Sequence, residues 1–391
     1  MSNAFAVTVR DHSMAEVAPL GGYASLDLDL RHMGAGGDTG VSEVKVQTSH
    51  PSLAAVLAAG AGIVVRRTGS TGTVASGDVV DVEIDESPSG LTSIMFEADD
   101  QILVDELAYP DPTVEVSASA MSTFSVALDR RPAAGNGPAE TAILELVAAN
   151  IGPAAGVTRR RYAWLEIPAT QSRGNTSRWG ARMDSLADIC RKIAVPSGLA
   201  WRLLQTTDGT VEVQIREPAA DPATAVRLSA EAGTVTSLVY RSTARSLDEA
   251  IVGGEGAAAS RVFTRRTSGS YVTGRRRRVA FLDERNAENL TDLRQPADEA
   301  LTNAAAVAGM TVTLVERPGT PRYGVDWHLG DVVTAASYRS GTVTDAVQSV
   351  RIVHEPGADP VVLPSIGVPG VTDSASQVAA IRRLIDSMLR S

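Results

Sequence analysis

Short runs of β-branched residues, each ended within a few positions by glycine or proline, limit how this chain can fold. The 391 residues include 34 glycines and 19 prolines, and 43% of the chain is hydrophobic. β-branched side chains pack well on a pleated surface, whereas glycine and proline make turns. The pattern predicts a mainly β protein of two to four compact units, at roughly 100–200 residues each.

The clearest such run is Asp78–Asp85, in which apolar and acidic residues alternate. Alternate side chains of a strand share one face. The apolar residues predicted to point into a core are Val80, Val82 and Ile84. Carboxylates spaced along a flat strand do not converge on one point, so the acidic row favours a solvated face over a calcium site.

Three internal helices are predicted among the strands. The first opens at Pro138, with Glu140 in its first turn. The second spans 177–195, where five residues form one apolar stripe: Trp179, Met183, Leu186, Cys190 and Ile193. The third opens at Gln295-Pro296 and runs through Ala308. Because Cys190 lies within the stripe, it is interpreted as a core thiol and not as a nucleophile.

Turn signals divide the rest of the chain. Leu199–Gln205 and Val211–Glu217 flank Asp208-Gly209, which predicts a hairpin because a tight turn needs positive φ. Strands return at Met310–Pro364 after a mixed middle section, so we expect this segment to pair with the Leu199–Tyr240 region.

The charge pattern narrows the function classes. A net charge of −10 argues against a nucleic-acid-binding protein, which needs a concentrated positive field. All but two of the 36 basic residues are arginine, which together with the abundant alanine indicates a GC-rich genome. The two arginine runs, Arg159–Arg161 and Arg275–Arg278, are interpreted as solvated strands or loops. Their functional alternatives are contact with nucleic acid or with an acidic neighbouring subunit, and the subunit is the better of the two.

Signals for chemistry are weak, and we predict no catalytic, cofactor-binding or metal site. Cys190 is the only cysteine, the five histidines are scattered, and no G-x-S-x-G elbow occurs. Gly254–Ala259 imitates a dinucleotide fingerprint, but the next residues are strand-like, which favours a turn. A pair of carboxylates for glycoside hydrolysis, brought together only by folding, stays an open alternative. Neither a signal peptide at Met1–Asp11 nor a membrane span is expected.

From Pro138 onward, the order of several short motifs is more specific than any one of them. In chain order they are Ala139–Ala142, Gly174, Arg182–Ile189, Ser197–Trp201, Ile251–Gly256, Arg261, Arg278–Arg285, Tyr323, Asp326, Leu329–Val333 and Val350–Glu355. In this order the chain resembles the hub-type minor tail proteins of long-tailed (siphovirus) phages, especially those of actinobacteria. The GC-rich signature agrees with such a host.

The resemblance implies an α+β, mainly β fold similar to the baseplate hub of contractile tails. It also implies two barrel-like β domains with smaller α+β domains inserted around them. Three copies would form a homotrimeric ring at the tail tip of the virion, connecting a sixfold tube to a threefold tip. The implied partners are the distal tail protein, the tape measure protein and other tip or fibre proteins. The chain would be made in the host bacterial cytoplasm.

Two rival functions stay open. Some members of the family carry C-terminal hydrolase modules, but this chain ends at Ser391, so no lytic role is expected. A tail-associated cell-wall hydrolase would turn over cell-wall substrate. A host-receptor-binding module would adsorb to cells as an isolated protein.

The expected domains follow from these patterns in chain order. They are an N-terminal β-barrel-like ring domain at 1–108, an inserted α+β domain at 109–198, a second β-barrel-like ring domain from 199–240 and 310–365, a small inserted α+β domain at 241–309, and a linker with a C-terminal helix at 366–391.

The C-terminal helix is predicted at Thr372–Leu389, beyond a linker at Pro364–Gly370. Its apolar stripe has the spacing of an a/d seam and comprises Val378, Ile381, Leu384, Ile385, Met388 and Leu389. A helix this short is marginal alone in water, so the stripe must be buried. Packing against another subunit is the preferred interpretation, and folding back onto its own chain is the alternative.

Deleting Gln377–Ser391 should therefore leave a folded chain that assembles more weakly, because the stripe would be lost from the contact and not from a core. Circular dichroism would report folding, and sedimentation would report assembly against concentration. Assembly at the wild-type concentration, or complete loss of folding, would contradict the interpretation.

Overall fold

The computed structural model describes residues 4–31, 39–70, 72–116, 128–130, 138–175, 179–206, 209–217, 226–230, 235–256, 260–269, 276–285, 290–304, 307–317, 319–337 and 341–367. The backbone divides into a main unit, Met1–Val239 with Met310–Ser391, and a small unit, Tyr240–Gly309. The C-terminal helix predicted from the sequence lies outside the described residues.

The first strands in chain order are β1 (Phe5–Arg10), β2 (Glu16–Pro19), β3 (Ser25–Arg31), β4 (Val41–Gln47), β5 (Gly62–Arg67), β6 (Thr73–Ile84), β7 (Leu91–Ala98), β8 (Leu107–Ala108), β9 (Leu128–Arg130), β10 (Leu165–Glu166), β11 (Trp179–Ala181) and β12 (Asp184–Ser185). The later strands are β13 (Ala200–Gln205), β14 (Val211–Arg216), β15 (Arg227–Ser229), β16 (Val235–Thr243), β17 (Glu249–Gly253), β18 (Phe263–Thr267), β19 (Val279–Asp283), β20 (Val307–Val315), β21 (Val332–Ser337), β22 (Gly341–His354) and β23 (Val361–Ile366).

The α-helices in the described part of the chain are few and short. They are α1 (Leu53–Val56), α2 (Gln101–Asp105), α3 (Ala139–Ile151), α4 (Leu186–Ala194) and α5 (Leu290–Asn303). Single 3₁₀ turns occur at Thr158–Arg160 and Val195–Ser197. The mainly β, α+β fold class expected from the sequence is confirmed.

A thirteen-stranded sheet dominates the main unit. Its order is β16-β20-β23-β22-β3-β4-β7-β6-β5-β1-β2, and β21 joins β15 to β22. The central pairing is antiparallel between β3 and β22, from Leu26 opposite His354 to Arg31 opposite Ser349. Strands from the two ends of the chain therefore form one sheet.

Alternation explains which face of this sheet is buried. Leu26, Leu28 and Leu30 of β3 are buried, and the residues between them are only half-buried. They share one hydrophobic cluster with Val350 and Ile352 of β22. Burying an apolar side chain of this size contributes about 1.5–3 kcal/mol relative to leaving it exposed, so the leucines favour this register over a slip by one residue.

A second core forms around α3, α4 and the three-stranded sheet β10-β14-β13. β13 and β14 form the predicted hairpin, with Gln205 opposite Val211. The expected domains group these two strands with residues 310–365, but their sheet partner is β10, while β15 and β16 pair with β21 and β20. Their apolar faces lie against the helices, which explains the difference. The finer domain division stays a prediction.

Two helix predictions need correction. The helix expected over 177–195 begins only at Leu186, because Trp179–Ala181 pairs with β9 and Met183 has a φ of 62°. A positive φ is incompatible with a right-handed helix. The helix expected to open at Gln295-Pro296 and run through Ala308 is α5, which starts five residues before Gln295, contains Pro296 in its interior and ends at Asn303, before β20 begins at Val307. Packing of Leu293 against the small unit's sheet outweighs the preference of proline for a first turn.

The alternation over Asp78–Asp85 also predicts burial wrongly. Val82 is half-buried, but Val80 is 50% exposed and Ile84 is 38% exposed. An irregularity in the β6–β7 register falls between Val79 and Asp81, so Val80 has no partner in the ladder. A bulge of this kind puts an extra residue into one strand and re-aims its neighbours.

Candidate functional site

A buried arginine lies where the thirteen-stranded sheet meets β13. Arg10 of β1 is fully buried, and its Nη1 donates to Asp99 Oδ2 at 3.1 Å and to Gln205 Oε1 at 2.8 Å. Its Nη2 donates to Asp78 Oδ1 at 2.8 Å. The backbone N–H of Gln205 donates to Ser76 Oγ at 2.8 Å, which extends the network to β6.

The electrostatics of this network favour the charged form of the Arg10 guanidinium. Burial opposes the charge on Arg10, but Asp99 and Asp78 outweigh it and raise the pKa of Arg10. The neighbouring Asp100 accepts the Leu203 N–H, while complete burial raises its pKa to about 7. The network joins the two cores of the main unit through charge-assisted hydrogen bonds, which are stronger than neutral ones.

A second buried ion pair joins β5 to the C-terminal part of the main unit. Arg67 Nη2 lies 2.8 and 2.7 Å from the two carboxylate oxygens of Glu316, and its Nε donates to the Tyr323 carbonyl at 2.6 Å. The Tyr323 N–H donates to Glu316 at 2.7 Å. Burial raises the pKa of Glu316, and Arg67 opposes that rise.

One histidine is buried beside the first strand. His354 of β22 is 1% exposed, and its Nδ1 lies 2.7 Å from the Tyr23 hydroxyl. The Phe5 ring meets the imidazole edge-on, with centroids 5.6 Å apart. Burial lowers the pKa of His354 to about 4. The imidazole is therefore neutral in the folded protein near pH 7.

The first arginine run is structural. Arg160 is 4% exposed; its guanidinium lies 3.5 Å from the Tyr109 ring centroid and donates to the Val114 carbonyl at 3.2 Å. Arg159 pairs with Glu115 at 2.9 Å. The interpretation of this run as a solvated loop is therefore wrong for Arg160, because its guanidinium fixes the backbone of residues 112–114. Arg276–Arg278 of the second run are exposed, and Arg275 lies outside the described residues.

The residues singled out for chemistry do not converge. Cys190 is buried within α4, and burial raises its pKa to about 12, as expected for a core thiol. After β17 the Gly254 N–H donates to the Val262 carbonyl and the Val262 N–H donates to the Glu255 carbonyl, as expected for a turn, while Ala257–Ala259 lie outside the described residues. Within the described part of the chain, no three His, Cys, Asp or Glu side chains are placed to hold a metal ion.

The main unit carries two open grooves whose buried carboxylates are held by arginine. One, of about 520 Å³, is lined by Glu140 and Arg173 among others. Burial opposes ionisation of Glu140, but Arg173 at 2.6 Å outweighs it and lowers the Glu140 pKa. The other groove is lined by the Arg67–Glu316 pair. Glu140, held in this way, is a poor proton donor.

None of the helices in the described segments is both long and apolar enough to cross a membrane.

Solved structures share this fold along almost the whole chain. The 43 kDa tail protein of prophage MuSo2 from Shewanella oneidensis has a TM-score of 0.60 at 14% identity, over 92% of this chain and 98% of its own. A tail protein from Neisseria meningitidis MC58 has 0.58 at 14%, over 94% and 98%. Prophage tail protein gp18 from Listeria monocytogenes EGD-e has 0.51 at 10%, over 97% and 99%. No curated protein matches the chain.

The fold is that of phage tail proteins of the baseplate-hub type. The sequence matches the siphovirus family described as "Siphovirus ReqiPepy6 Gp37-like protein" over residues 6–368. The chain belongs to this siphovirus tail protein family. The resemblance seen in the order of motifs is confirmed.

The Arg10 network predicts a large loss of stability on substitution. Arg10→Met should lower the free energy of unfolding by ~3–5 kcal/mol, because Asp99 would stay buried without its cation. The double variant R10M/D99N should lose less, because no buried charge is left uncompensated. Arg266→Met, which breaks the exposed pair with Asp298, is the matched control and should cost far less, because solvent screens an exposed ion pair. Urea unfolding measures all three, and equal losses for R10M and R266M would contradict the prediction.

His354 predicts a pH dependence of stability. Its pKa is about 4 when folded, below the ordinary 6.5, so between these values the unfolded chain binds more protons. The contribution of the neutral imidazole is present above about pH 6.5 and is lost as the pH falls towards 4. Wild type should thus lose more stability than His354→Asn on going from pH 7 to pH 4.5.

Asp100 acts in the opposite direction over this range. Its raised pKa makes ionisation unfavourable in the folded state, so its contribution falls as the pH rises from about 4 to 7. Both proteins retain Asp100, and the difference between their thermal midpoints isolates His354. Parallel curves for wild type and H354N would exclude the histidine as the source.

Proposed function

We propose that this chain is a structural subunit of the phage tail tip, a baseplate hub that closes three copies into a ring, and that it is not an enzyme. The observation that carries the proposal is the thirteen-stranded sheet of the main unit, in a fold shared with phage tail proteins. Membership of a siphovirus tail protein family supports it.

A ring subunit has to hold two different contact surfaces at a fixed angle, because one face of each copy meets a different face of the next. The pairing of β3 with β22 and the Arg67–Glu316 pair connect strands from both ends of the chain within one sheet. Arg351 adds a bidentate pair with Asp27 at 2.8 and 2.6 Å across the same junction. These contacts supply the stiffness that a ring wall requires.

In the assembled virion, the ring would lie at the tail tip and connect the sixfold tube to a threefold tip. Its neighbours would be the distal tail protein, the tape measure protein and tip or fibre proteins. Residues 1–108, and 199–240 with 310–365, would be its ring domains. The C-terminal stripe from Val378 to Leu389 would pack against a neighbour. These assignments come from the family and from the sequence pattern.

A structural role also agrees with the ionisable groups of the main unit. Glu140 and Glu316, the buried carboxylates that line its grooves, are each bound by an arginine. A glycoside hydrolase needs one carboxylic acid that retains its proton near neutral pH beside a second carboxylate. Glu140, with its lowered pKa, does not supply the acid. Burial raises the pKa of Glu316, but Arg67 binds both of its carboxylate oxygens and opposes that rise. Asp100, whose pKa burial raises to about 7, is only 6% exposed and lines neither groove, and these placements disfavour the tail-associated hydrolase.

The oligomeric state tests the proposal directly. Light scattering or native mass spectrometry of the full chain should give three times the 40.8 kDa chain mass as its concentration rises. A chain that stays monomeric at every accessible concentration, or that closes with another stoichiometry, would contradict the ring. Labelled antibody on intact virions should bind at the tail tip. Release of soluble fragments from purified cell walls would overturn the non-enzymatic assignment.

A further inference from the structure

The sheet of the small unit is covered on one face only. In the order β18-β17-β19, every second residue points to the same side. Ala250, Val252 and Leu282 lie on one side and pack against Leu293 and Ala297 of α5. The opposite side carries the residues between them.

That opposite side holds two exposed phenylalanines. Phe263 is 52% exposed and Phe281 is 54% exposed, with ring centroids 6.4 Å apart. The Arg261 guanidinium lies 5.5 and 5.6 Å from the two centroids. Gly253 permits this approach, because a Cβ there would stand 2.9 Å from the guanidinium. The chain has only five phenylalanines, so two exposed together form an uncommon apolar patch. We name it the phenylalanine face.

Arginines outnumber the carboxylates that border this face. Glu249 pairs with Arg265 at 3.1 Å and with Arg277 at 3.3 Å. Asp283 likewise pairs with Arg261 and Arg285. Each carboxylate neutralises one of its two guanidiniums, so the border keeps a positive charge.

The whole small unit repeats this imbalance. Residues 240–309 contain eleven arginines and nine acidic residues, whereas the rest of the chain has 25 basic and 37 acidic residues. The two parts of the chain therefore carry net charges of opposite sign. Opposite fields attract surfaces on different copies and set their orientation.

A complementary surface lies on β6 of the main unit. Asp81 and Glu83 are exposed and have no ion-pair partner among the described residues. Beside them, Val80 is 50% exposed and Ile84 is 38% exposed. The segment from Val80 to Glu86 thus combines apolar and acidic groups, opposite in charge to the phenylalanine face. We name it the acidic ridge.

We propose that the phenylalanine face of one copy docks on the acidic ridge of a second copy of this chain. Both surfaces are exposed within one copy, so each is available to a neighbour. The contact joins two different surfaces, which is the kind of interface that closes a ring. The inference rests on the proposed self-assembly and assigns the residues that hold the copies together.

Charge reversal tests the pairing. On the ridge, the double variant Asp81→Arg with Glu83→Arg should weaken self-association at least tenfold in sedimentation velocity. Beside the face, the double variant Arg276→Glu with Arg285→Glu should weaken it by at least the same factor. The quadruple variant, which carries both reversals in one chain, should recover most of the lost affinity because attraction is restored. A quadruple variant weaker than both doubles would overturn the pairing.

Matched controls carry the same change of charge elsewhere. E145R/D188R reverses two exposed acidic residues on α3 and α4, and R241E/R294E reverses two exposed arginines outside the face. Both should associate like wild type, and circular dichroism should give wild-type folding for every variant. If the controls lost as much association as the tested pairs, the effect would come from net charge alone, and the proposal would be overturned.

A disulfide gives an independent readout. Mixing Ile84→Cys with Phe281→Cys under mild oxidation should yield a covalent dimer, whereas neither variant alone should yield it at that rate. The native Cys190 is buried and does not compete. No dimer from the mixture would overturn the contact.

The remaining outcomes distinguish other occupants. Wild-type trimers that are insensitive to both reversals would leave the proposed function standing and overturn this inference alone. Absence of wild-type self-association would overturn both. If R276E/R285E formed trimers like wild type but no longer bound DNA, the phenylalanine face would be assigned to nucleic acid. If the same variant formed trimers like wild type but no longer bound a purified tail protein, the face would be assigned to that protein.

Discussion

The antiparallel pairing of β3 with β22 is the contact on which the main unit depends. Asp27 and Arg351, which form an ion pair across it, are 324 positions apart in the sequence. Closing so long a segment costs conformational entropy, although that cost grows only slowly with length. The buried leucines of β3 and their partners on β22 offset it. Without this pairing, the strands at the two ends of the chain would form separate sheets with exposed edges.

Buried polar groups then determine how the parts of the main unit fit together. Arg10 contacts Asp78 of β6, Asp99 directly after β7 and Gln205 of β13. Among the described residues, Arg10 is the buried cation that pairs with the Asp99 carboxylate. A slip of β1 by one residue would turn Arg10 to the opposite face and leave both charges unpaired. Apolar packing alone tolerates small shifts, whereas a hydrogen-bonded guanidinium does not. For a protein proposed to repeat in a ring, one fixed arrangement matters more than additional stability.

Several charged side chains inside the main unit are paired, whereas some of those described at the surface are not. Inside the main unit, arginines are matched to carboxylates at short distance, as in Arg67–Glu316 and Arg173–Glu140. At the surface of the main unit, Asp81 and Glu83 have no ion-pair partner among the described residues, while in the small unit the border of the phenylalanine face has surplus arginine. Internal pairs stabilise the fold of one copy, and in the proposed contact the unmatched surface charges act between copies.

The sequence by itself determined the mainly β class, the hairpin at Asp208-Gly209, the core position of Cys190 and the family, because these depend on local turn chemistry, on periodicity or on motif order. It did not determine where a pattern ends. Trp179 and Met183 fit a helical stripe but lie before the helix, because pairing with β9 and a positive φ take precedence over periodicity. Val80 fits an inward position, but a bulge leaves it exposed.

Only the tertiary structure decided that residues from both ends share one sheet and that Arg10, Asp99 and Gln205 meet. Contacts over such separations leave no local periodicity, and their energy exists only once the strands are paired.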